Sequence, residues 1–163
     1  MNKKLILNAS PIIALGKADI LEIISPIADI WIIPKGVYNE VDVKGVIESY
    51  MSDISSKSNV KIEEVSQIHS SIAAWDLGKG ESQVLTLGLE APESTVVLDD
   101  LQARKCATLF DIKLIGSLGL IILAKRKALI KKAKPFIYRL IDVGLYIDKL
   151  MLKKVLKGIN EDD

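Results

Sequence analysis

Short runs of consecutive apolar residues alternate with segments of helical spacing along most of the chain. The runs are Leu5–Leu7, Ile30–Ile33, Thr95–Leu98 and Lys113–Ile115. Strands that are apolar at nearly every position have no face suited to water, so they fit a sheet that is covered on both sides. The alternation therefore predicts an α/β fold, with a central parallel sheet between two layers of helices.

The helical segments have apolar residues at helical intervals. They are expected at Ile12–Ile24, Val37–Met51, Glu81–Glu90, Leu101–Leu109 and Leu118–Leu129. Ser10 is the expected cap of the first, which should be broken or re-registered near Gly16. Val60–Val65 alternates well enough for a short edge strand. Two further helices, around Pro135–Val143 and Ile147–Leu156, are separated by Gly144, and the acidic tail from Glu161 to Asp163 is expected to fray. A length of 163 residues with 49% hydrophobic content predicts one domain over 1–163, with a basic helical region from about residue 130.

Charge and composition exclude several kinds of site. The 22 basic and 21 acidic residues nearly cancel, so a nucleic-acid partner would have to bind a local patch. Cys106 is the only cysteine and His69 the only histidine, which excludes an internal disulfide and disfavours zinc sites and Ser/His/Asp catalysis. Because no export signal or membrane span is evident, the protein is expected in the cytoplasm, without a membrane partner.

Polar residues lie where the predicted strands end, and acids lie in the first turns of the helices that follow. Ligands of open parallel sheets bind beyond the carboxyl ends of the strands. Oxygen ligands suit Mg²⁺ or Mn²⁺, and a water on such an ion could attack a phosphodiester. The residues expected to converge there are Asn8, Ser10, Glu40, Glu81, Asp99 and Asp100.

Each of these residues also has a purely structural interpretation. Asp99 lies three residues before Gln102, which is the spacing of a capping box. Glu81 could stabilise a helix dipole, and Glu40 could lie on a solvated helix face. Asn8 could bond its own backbone in a turn.

Five segments taken together resemble the PIN-domain superfamily and, within it, the VapC-like branch of small prokaryotic proteins. The segments are NASPIIALGKADILEII, IPKGVYNEV, LGKGESQVLTLGLE, VVLDDLQARKCA and IGSLGLIILAKRKALI. The resemblance runs from Leu5 to about Leu156. It implies a three-layer α/β/α sandwich and a metal-dependent ribonuclease, commonly a toxin that a small antitoxin protein restrains. It also implies a homodimer, since family members often pair.

The resemblance also implies roles for particular residues. Glu40, Glu81, Asp99 and Asp100 would be the catalytic, metal-binding acids, with Ser10, Arg104 and Ser117 as supporting residues. The first acid of the family pattern falls on Asn8, where the sequence departs from that pattern. An amide still offers a metal an oxygen, but it brings no negative charge and cannot act as a base.

Two hypotheses therefore stand side by side. The first is an endoribonuclease dependent on Mg²⁺ or Mn²⁺, whose basic C-terminal region binds RNA phosphates. The basic residues expected to do so are Lys125, Arg126, Lys127, Lys131 and Lys132. The second, motivated by Asn8, is a PIN-like module that binds RNA or a partner protein without cleavage. A weaker third idea is nucleotide or phosphate binding at the same sheet edge.

Overall fold

A parallel five-stranded sheet forms the centre of the fold. The computed structural model describes residues 3–43 and 59–163. The strands are β1 (Lys4–Leu7), β2 (Ile30–Pro34), β3 (Val60–Glu63), β4 (Thr95–Val97) and β5 (Leu114–Ile115). They lie in the order β3-β2-β1-β4-β5, and every pair is parallel. With its helices the sheet makes the three-layer α/β/α architecture, so the predicted fold class is confirmed.

The helices follow the strands as the alternating pattern predicts. They are α1 (Ala9–Lys17), α2 (Leu21–Ile24), α3 (Lys35–Val43), α4 (Ser70–Ala73), α5 (Lys79–Glu90), α6 (Leu101–Leu109), α7 (Ser117–Arg126), α8 (Lys134–Asp142) and α9 (Lys149–Gly158). The C-terminal part of the helix predicted for Val37–Met51 lies outside the described residues. None of the described helices is long and apolar enough to cross a membrane.

The order of the strands creates a switch point between β1 and β4. From β1 the chain moves outward through β2 and β3 on one side, and β4 and β5 lie on the other side. Leu5, Ile6 and Leu7 of β1 pair in register with Thr95, Val96 and Val97 of β4. Connections leave the two strands in opposite directions, so a crevice forms beyond their carboxyl ends.

The contacts between residues divide the chain into two compact units. The first unit consists of residues 1–13 and 28–116, and it contains the whole sheet. The second consists of residues 14–27 and 117–163, and it contains α2, α7, α8 and α9. The single domain expected over 1–163 stays a prediction.

The start of the first helix was predicted wrongly, and one short helix was not predicted. The first helix begins at Ala9, so Ser10 lies inside its first turn and is not its cap. The break predicted near Gly16 is found close by: α1 ends at Lys17, and Asp19, with a φ of 58°, takes the chain out of the helix. Helix α4 was not predicted, and the His69 ring caps it by accepting a hydrogen bond from the Ser71 N–H at 3.2 Å.

The tail does not fray at Glu161, contrary to the prediction. This side chain is 8% exposed and accepts hydrogen bonds from the backbone N–H groups of Ala133 (2.8 Å) and Lys134 (2.7 Å). It also pairs with the Lys125 ammonium, which donates in addition to the Ile159 carbonyl at 2.6 Å. Because Ala133 has no side chain that could cap α8, Glu161 does so from a distant part of the sequence.

Candidate functional site

The site develops at the switch point, where β1 and β4 end side by side. Asn8 directly follows β1, and its N–H donates to the Val97 carbonyl of β4 at 3.2 Å. Asp99 follows β4 by two residues. Paired strands lie about 4.8 Å apart, so these two polar residues leave the sheet at the same edge. The register thus brings the two backbones to one edge, and the convergence of the two side chains stays a prediction.

Asn8 is the buried member of the site. Only 2% of its surface is exposed, and its backbone carbonyl accepts the Ile12 N–H of α1 at 3.4 Å. Its side-chain oxygen Oδ1 lies 3.6 Å from the point that a Cβ on Gly80 would occupy. The amide is therefore held at the start of α1 and faces the first turn of α5.

Glu40 reaches the same point from α3. Its Oε2 lies 3.0 Å from the position of a Cβ on Gly80. Val37 and Val41 hold the buried face of this helix in the core, and the Gly36 N–H donates to Gln83 Oε1 of α5 at 2.8 Å. Helices α3 and α5 are thus joined, and the lack of a side chain at Gly80 lets the Glu40 carboxylate and the Asn8 amide both come close to the α5 backbone.

Glu81 stabilises the start of α5, which is the structural role that its position in the sequence also allowed. Its Oε2 accepts the Gly78 N–H at 3.0 Å, so the side chain turns back onto the residue before α5. Gly78 has no side chain to return a bond, so this contact is one half of a capping box. The negative charge also lies at the positive end of the α5 dipole.

The two aspartates after β4 have different partners, and the predicted cap was off by one residue. Asp100 caps α6, because its Oδ2 accepts the Ala103 N–H at 3.0 Å. Asp99, which was predicted to begin a capping box with Gln102, is therefore not the N-cap residue of α6. Its Oδ1 lies 3.0 Å from the point that a Cβ on Gly116 would occupy.

Arg104 lies beside Asp99. Its Nη1 donates to the Leu98 carbonyl at 3.0 Å and is 2.8 Å from that same point above Gly116. A side chain at position 116 would collide with both groups, so a glycine there lets the carboxylate and the guanidinium share one space. The structure therefore places the predicted supporting residue Arg104 next to a predicted acid.

The metal-binding prediction can be tested against these donors. Within residues 3–43 and 59–163, no three acidic, histidine or cysteine side chains form a group that could hold a metal ion. Glu81 and Asp100 each have one carboxylate oxygen bonded to a backbone N–H at the start of a helix, and the convergence of the four acids stays a prediction. Mg²⁺, however, needs only one or two protein carboxylates beside water and phosphate. The amide oxygen of Asn8 and the carboxylate oxygen of Glu40, which both come close to Gly80, fit that smaller requirement.

The other predicted residues lie elsewhere. Ser10 is exposed in the first turn of α1, and Ser117 is buried at the start of α7, in the second unit. The predicted RNA-binding residues also belong to the second unit. Lys125 is engaged by Glu161 and the Ile159 carbonyl, whereas the side chains of Arg126, Lys127, Lys131 and Lys132 are exposed.

Sequence reasoning missed the residues that shape the site without carrying charge. Gly80 and Gly116 leave room for the polar groups, and Gln83 joins α3 to α5. The available signal was the pair Gly78 and Gly80, which is too short to indicate a phosphate loop. Only the approach of α3 to α5 reveals that Gly80 lies between Asn8 and Glu40.

Comparison with known proteins agrees with the fold. A family model described as a PIN domain matches residues 4–161, which is nearly the whole chain. No curated protein matches the sequence. The chain belongs to the PIN-domain family.

Proposed function

We propose that this protein is a PIN-type endoribonuclease that depends on Mg²⁺ or Mn²⁺. The observation that carries the proposal is that two oxygen atoms, Asn8 Oδ1 at the carboxyl edge of the sheet and Glu40 Oε2 of α3, both come close to Gly80. Asp99 leaves the neighbouring strand at that edge. These three residues would hold the ion, and all of them offer it oxygen atoms.

The residues of the site would divide the work as follows. A bound divalent ion would supply positive charge to the phosphate and an activated water. Glu40 and Asp99 would bring the negative charge that holds the ion, and Asn8 would add a neutral oxygen. Arg104 donates a hydrogen bond from Nη1 to the Leu98 carbonyl. Its other N–H groups can bind a phosphate oxygen.

Metal binding and RNA cleavage, measured together, test the proposal. The wild-type protein should bind Mn²⁺ in calorimetry and cleave RNA, and EDTA should abolish the cleavage. Asn8→Asp should bind Mn²⁺ more tightly and cleave faster, because a second full charge would face the ion. Asn39→Asp is the matched control: it adds the same charge at an exposed position of α3 and should change neither property. Failure of both the wild type and Asn8→Asp to cleave RNA with Mn²⁺ would contradict the proposal.

The metal-ligand roles predicted for Glu81 and Asp100 stay predictions. Glu81→Gln and Asp100→Asn remove the charge but keep an oxygen that can accept the helix N–H. A ligand role would lower Mn²⁺ affinity in these variants while leaving the unfolding temperature unchanged. Unchanged affinity would leave both residues as helix caps.

Asn8 also favours a second candidate function. A site whose buried member is an amide has less charge with which to retain a metal, so the chain could bind RNA or a partner protein without cutting. Cleavage by Asn8→Asp, with none by the wild type, would support this candidate over the first.

The finer family features belong to the same proposal. We place the protein in the VapC-like branch, as a toxin that pairs with a small antitoxin protein, acts as a homodimer and works in the cytoplasm. A short reading frame beside its own, whose product relieves its toxicity on co-expression, would support this assignment. Toxicity that no neighbouring product relieves would count against it.

A further inference from the structure

The last two helices and the turn between them expose apolar side chains. Tyr146 is 89% exposed, Leu150 64%, Met151 50% and Tyr138 43%. They make up four of the seven large hydrophobic side chains that are exposed among the described residues, and the two tyrosines are the exposed aromatic ones. Exposure concentrated in one segment of the second unit points to binding.

The turn that carries Tyr146 is fixed on both sides. Helix α8 ends at Asp142, and Gly144, with a φ of 114°, lets the Leu145 N–H return to the Leu140 carbonyl at 2.9 Å. Asp148 then caps α9 by accepting the Met151 N–H at 2.8 Å. No hydrogen bond or cation–π contact of the described residues involves the Tyr146 side chain. The backbone that carries the exposed ring is thus anchored by hydrogen bonds before and after it, so a ligand that stacks on the ring need not order the chain beneath it.

The segment around these rings is strongly basic. Residues 125–157 contain eleven lysine and arginine residues and two acids. One of the acids, Asp148, is used as a helix cap. Lys149, Lys153, Lys154 and Lys157 are all exposed along α9. A local charge of this size attracts a polyanion, although the whole chain has a formal charge of only +1.

The surroundings favour a nucleic acid over a protein or a membrane. Lysine is depleted in protein–protein interfaces, whereas it dominates this surface. A membrane-bound helix needs a free apolar face, but Leu156 of α9 is buried and Leu152 and Val155 are half-buried. An exposed aromatic ring among lysines is the arrangement that binds unpaired bases, with stacking on the ring and phosphates on the cations.

We propose that Tyr146 is a stacking site for an unpaired base of single-stranded RNA, with Tyr138 as a second ring and the lysines of α9 holding the backbone. The proposal rests on the proposed function for the choice of RNA as the ligand. It predicts that the Tyr146 surface binds single-stranded RNA in preference to duplex RNA. Bases within a duplex are already stacked on each other and cannot cover the ring.

Fluorescence anisotropy with a labelled oligouridylate, in EDTA, tests this site without any cleavage. Tyr146→Ala should weaken binding about ten-fold, since one lost stacking contact has an effect of that order. Tyr146→Trp should bind as well as the wild type or better. Leu109→Ala, which truncates a similarly exposed side chain of the first unit, is the control and should not change binding. A blunt-ended RNA duplex should compete poorly.

The outcomes separate this inference from the proposed nuclease. Single-stranded binding that depends on Tyr146 supports the stacking site even if no variant cleaves RNA. Equal affinity of wild type and Tyr146→Ala, or equal affinity for single strand and duplex, would overturn it even if the protein proves to be a nuclease. Tyr146-dependent binding to anionic lipid vesicles, without RNA binding, would overturn it in favour of a membrane contact.

Discussion

Asn8 and Glu40 both come close to Gly80 in the first turn of α5, although they are far apart in the sequence. The Asn8 Oδ1 and Glu40 Oε2 atoms lie 3.6 and 3.0 Å from the one point that a Cβ on Gly80 would occupy. A glycine at this position therefore lets both oxygens approach the same turn, and we place a divalent ion beside them.

A methyl group at position 80 should weaken metal binding while leaving the fold intact. A Cβ in Gly80→Ala would meet the Glu40 carboxylate at 3.0 Å and Val37 Cγ2 at 3.2 Å. The flexible carboxylate is the group that can move away, so Mn²⁺ affinity and RNA cleavage should fall at least ten-fold. Calorimetry and a cleavage assay measure the two effects.

Gly158→Ala is the matched control for this change. No atom of the described residues lies within 4 Å of a Cβ at that position, at the end of α9. Neither metal binding nor cleavage should change. If Gly80→Ala keeps full Mn²⁺ affinity, the ion does not bind above Gly80.

The two neighbouring aspartates should have separable effects. Asp100→Ala removes the cap of α6 and should lower the free energy of unfolding by about 1 kcal/mol. Asp100→Asn should lower it by less, because the amide oxygen can still accept the Ala103 N–H. Asp99→Asn should reduce Mn²⁺ affinity. Denaturant unfolding and calorimetry on the three variants check this. The assignment is refuted if Asp99→Asn keeps the full Mn²⁺ affinity or if Asp100→Ala keeps the full free energy of unfolding.

Glu161 should make stability fall at acidic pH. Burial raises the pKa of its carboxyl, but hydrogen bonds from Lys125 and from the Ala133 and Lys134 N–H groups outweigh burial and hold the pKa below its ordinary value. A carboxyl with a lowered folded pKa contributes stability that is complete above its unfolded pKa, about 4.3 for glutamate. That contribution is lost as pH falls through the folded pKa.

Glu161→Gln should therefore be less stable than the wild type at neutral pH and should lose less stability on acidification. Unfolding curves at neutral and acidic pH measure the difference. Asp162→Asn removes a charge from the exposed neighbouring residue and should preserve the wild-type pH dependence. Parallel pH curves for Glu161→Gln and wild type would show that the buried carboxylate is not the titrating group.

Lys125 should differ from the other basic residues predicted to bind RNA. Lys125→Ala leaves the Glu161 carboxylate without its cation and should reduce the free energy of unfolding by on the order of 3 kcal/mol. Lys131→Ala and Lys132→Ala change exposed residues. These two variants should keep the wild-type stability, but each should weaken RNA binding. The slope of log binding constant against log salt concentration should fall in magnitude by about 0.7, the value for one phosphate contact on a single strand.

Unfolding measurements and RNA titrations at several salt concentrations distinguish these roles. Lys125→Ala with wild-type stability and a reduced salt slope would make Lys125 an RNA contact. Unaltered salt slopes for both Lys131→Ala and Lys132→Ala would remove those two lysines from the RNA-binding surface.

The elements of the fold were predictable because their signals are local. The mainly apolar runs at β1, β2, β4 and β5 have no face suited to water, so they must be buried strands. The turn residues between them mark roughly where each helix begins. Positions at the ends of helices were less predictable. Two consecutive aspartates follow β4, and a sequence pattern does not define a helix start to within one residue. Asp99 was therefore expected to be the cap that Asp100 provides.

Contacts between distant segments were not predictable from any local pattern. Glu161 was expected to fray, since acidic residues at the end of a chain are ordinarily solvated, yet it is buried against Lys125 and the first N–H groups of α8. The same limit applies to Gly80, which has a function only because α3 and β1 meet there.

By itself, the sequence determined a parallel α/β sheet and the residues that stand at its carboxyl edge, because strand burial and strand ends depend on runs of a few neighbouring residues. Tertiary structure decided which of those residues meet. The packing of the helices brought Asn8 and Glu40 close to Gly80, and Asp99 and Arg104 close to Gly116. It also placed Glu81 and Asp100 where each accepts a backbone N–H at the start of a helix. The physical reason is that a carboxylate binds the nearest suitable donor, and which donor is nearest depends on how the helices pack.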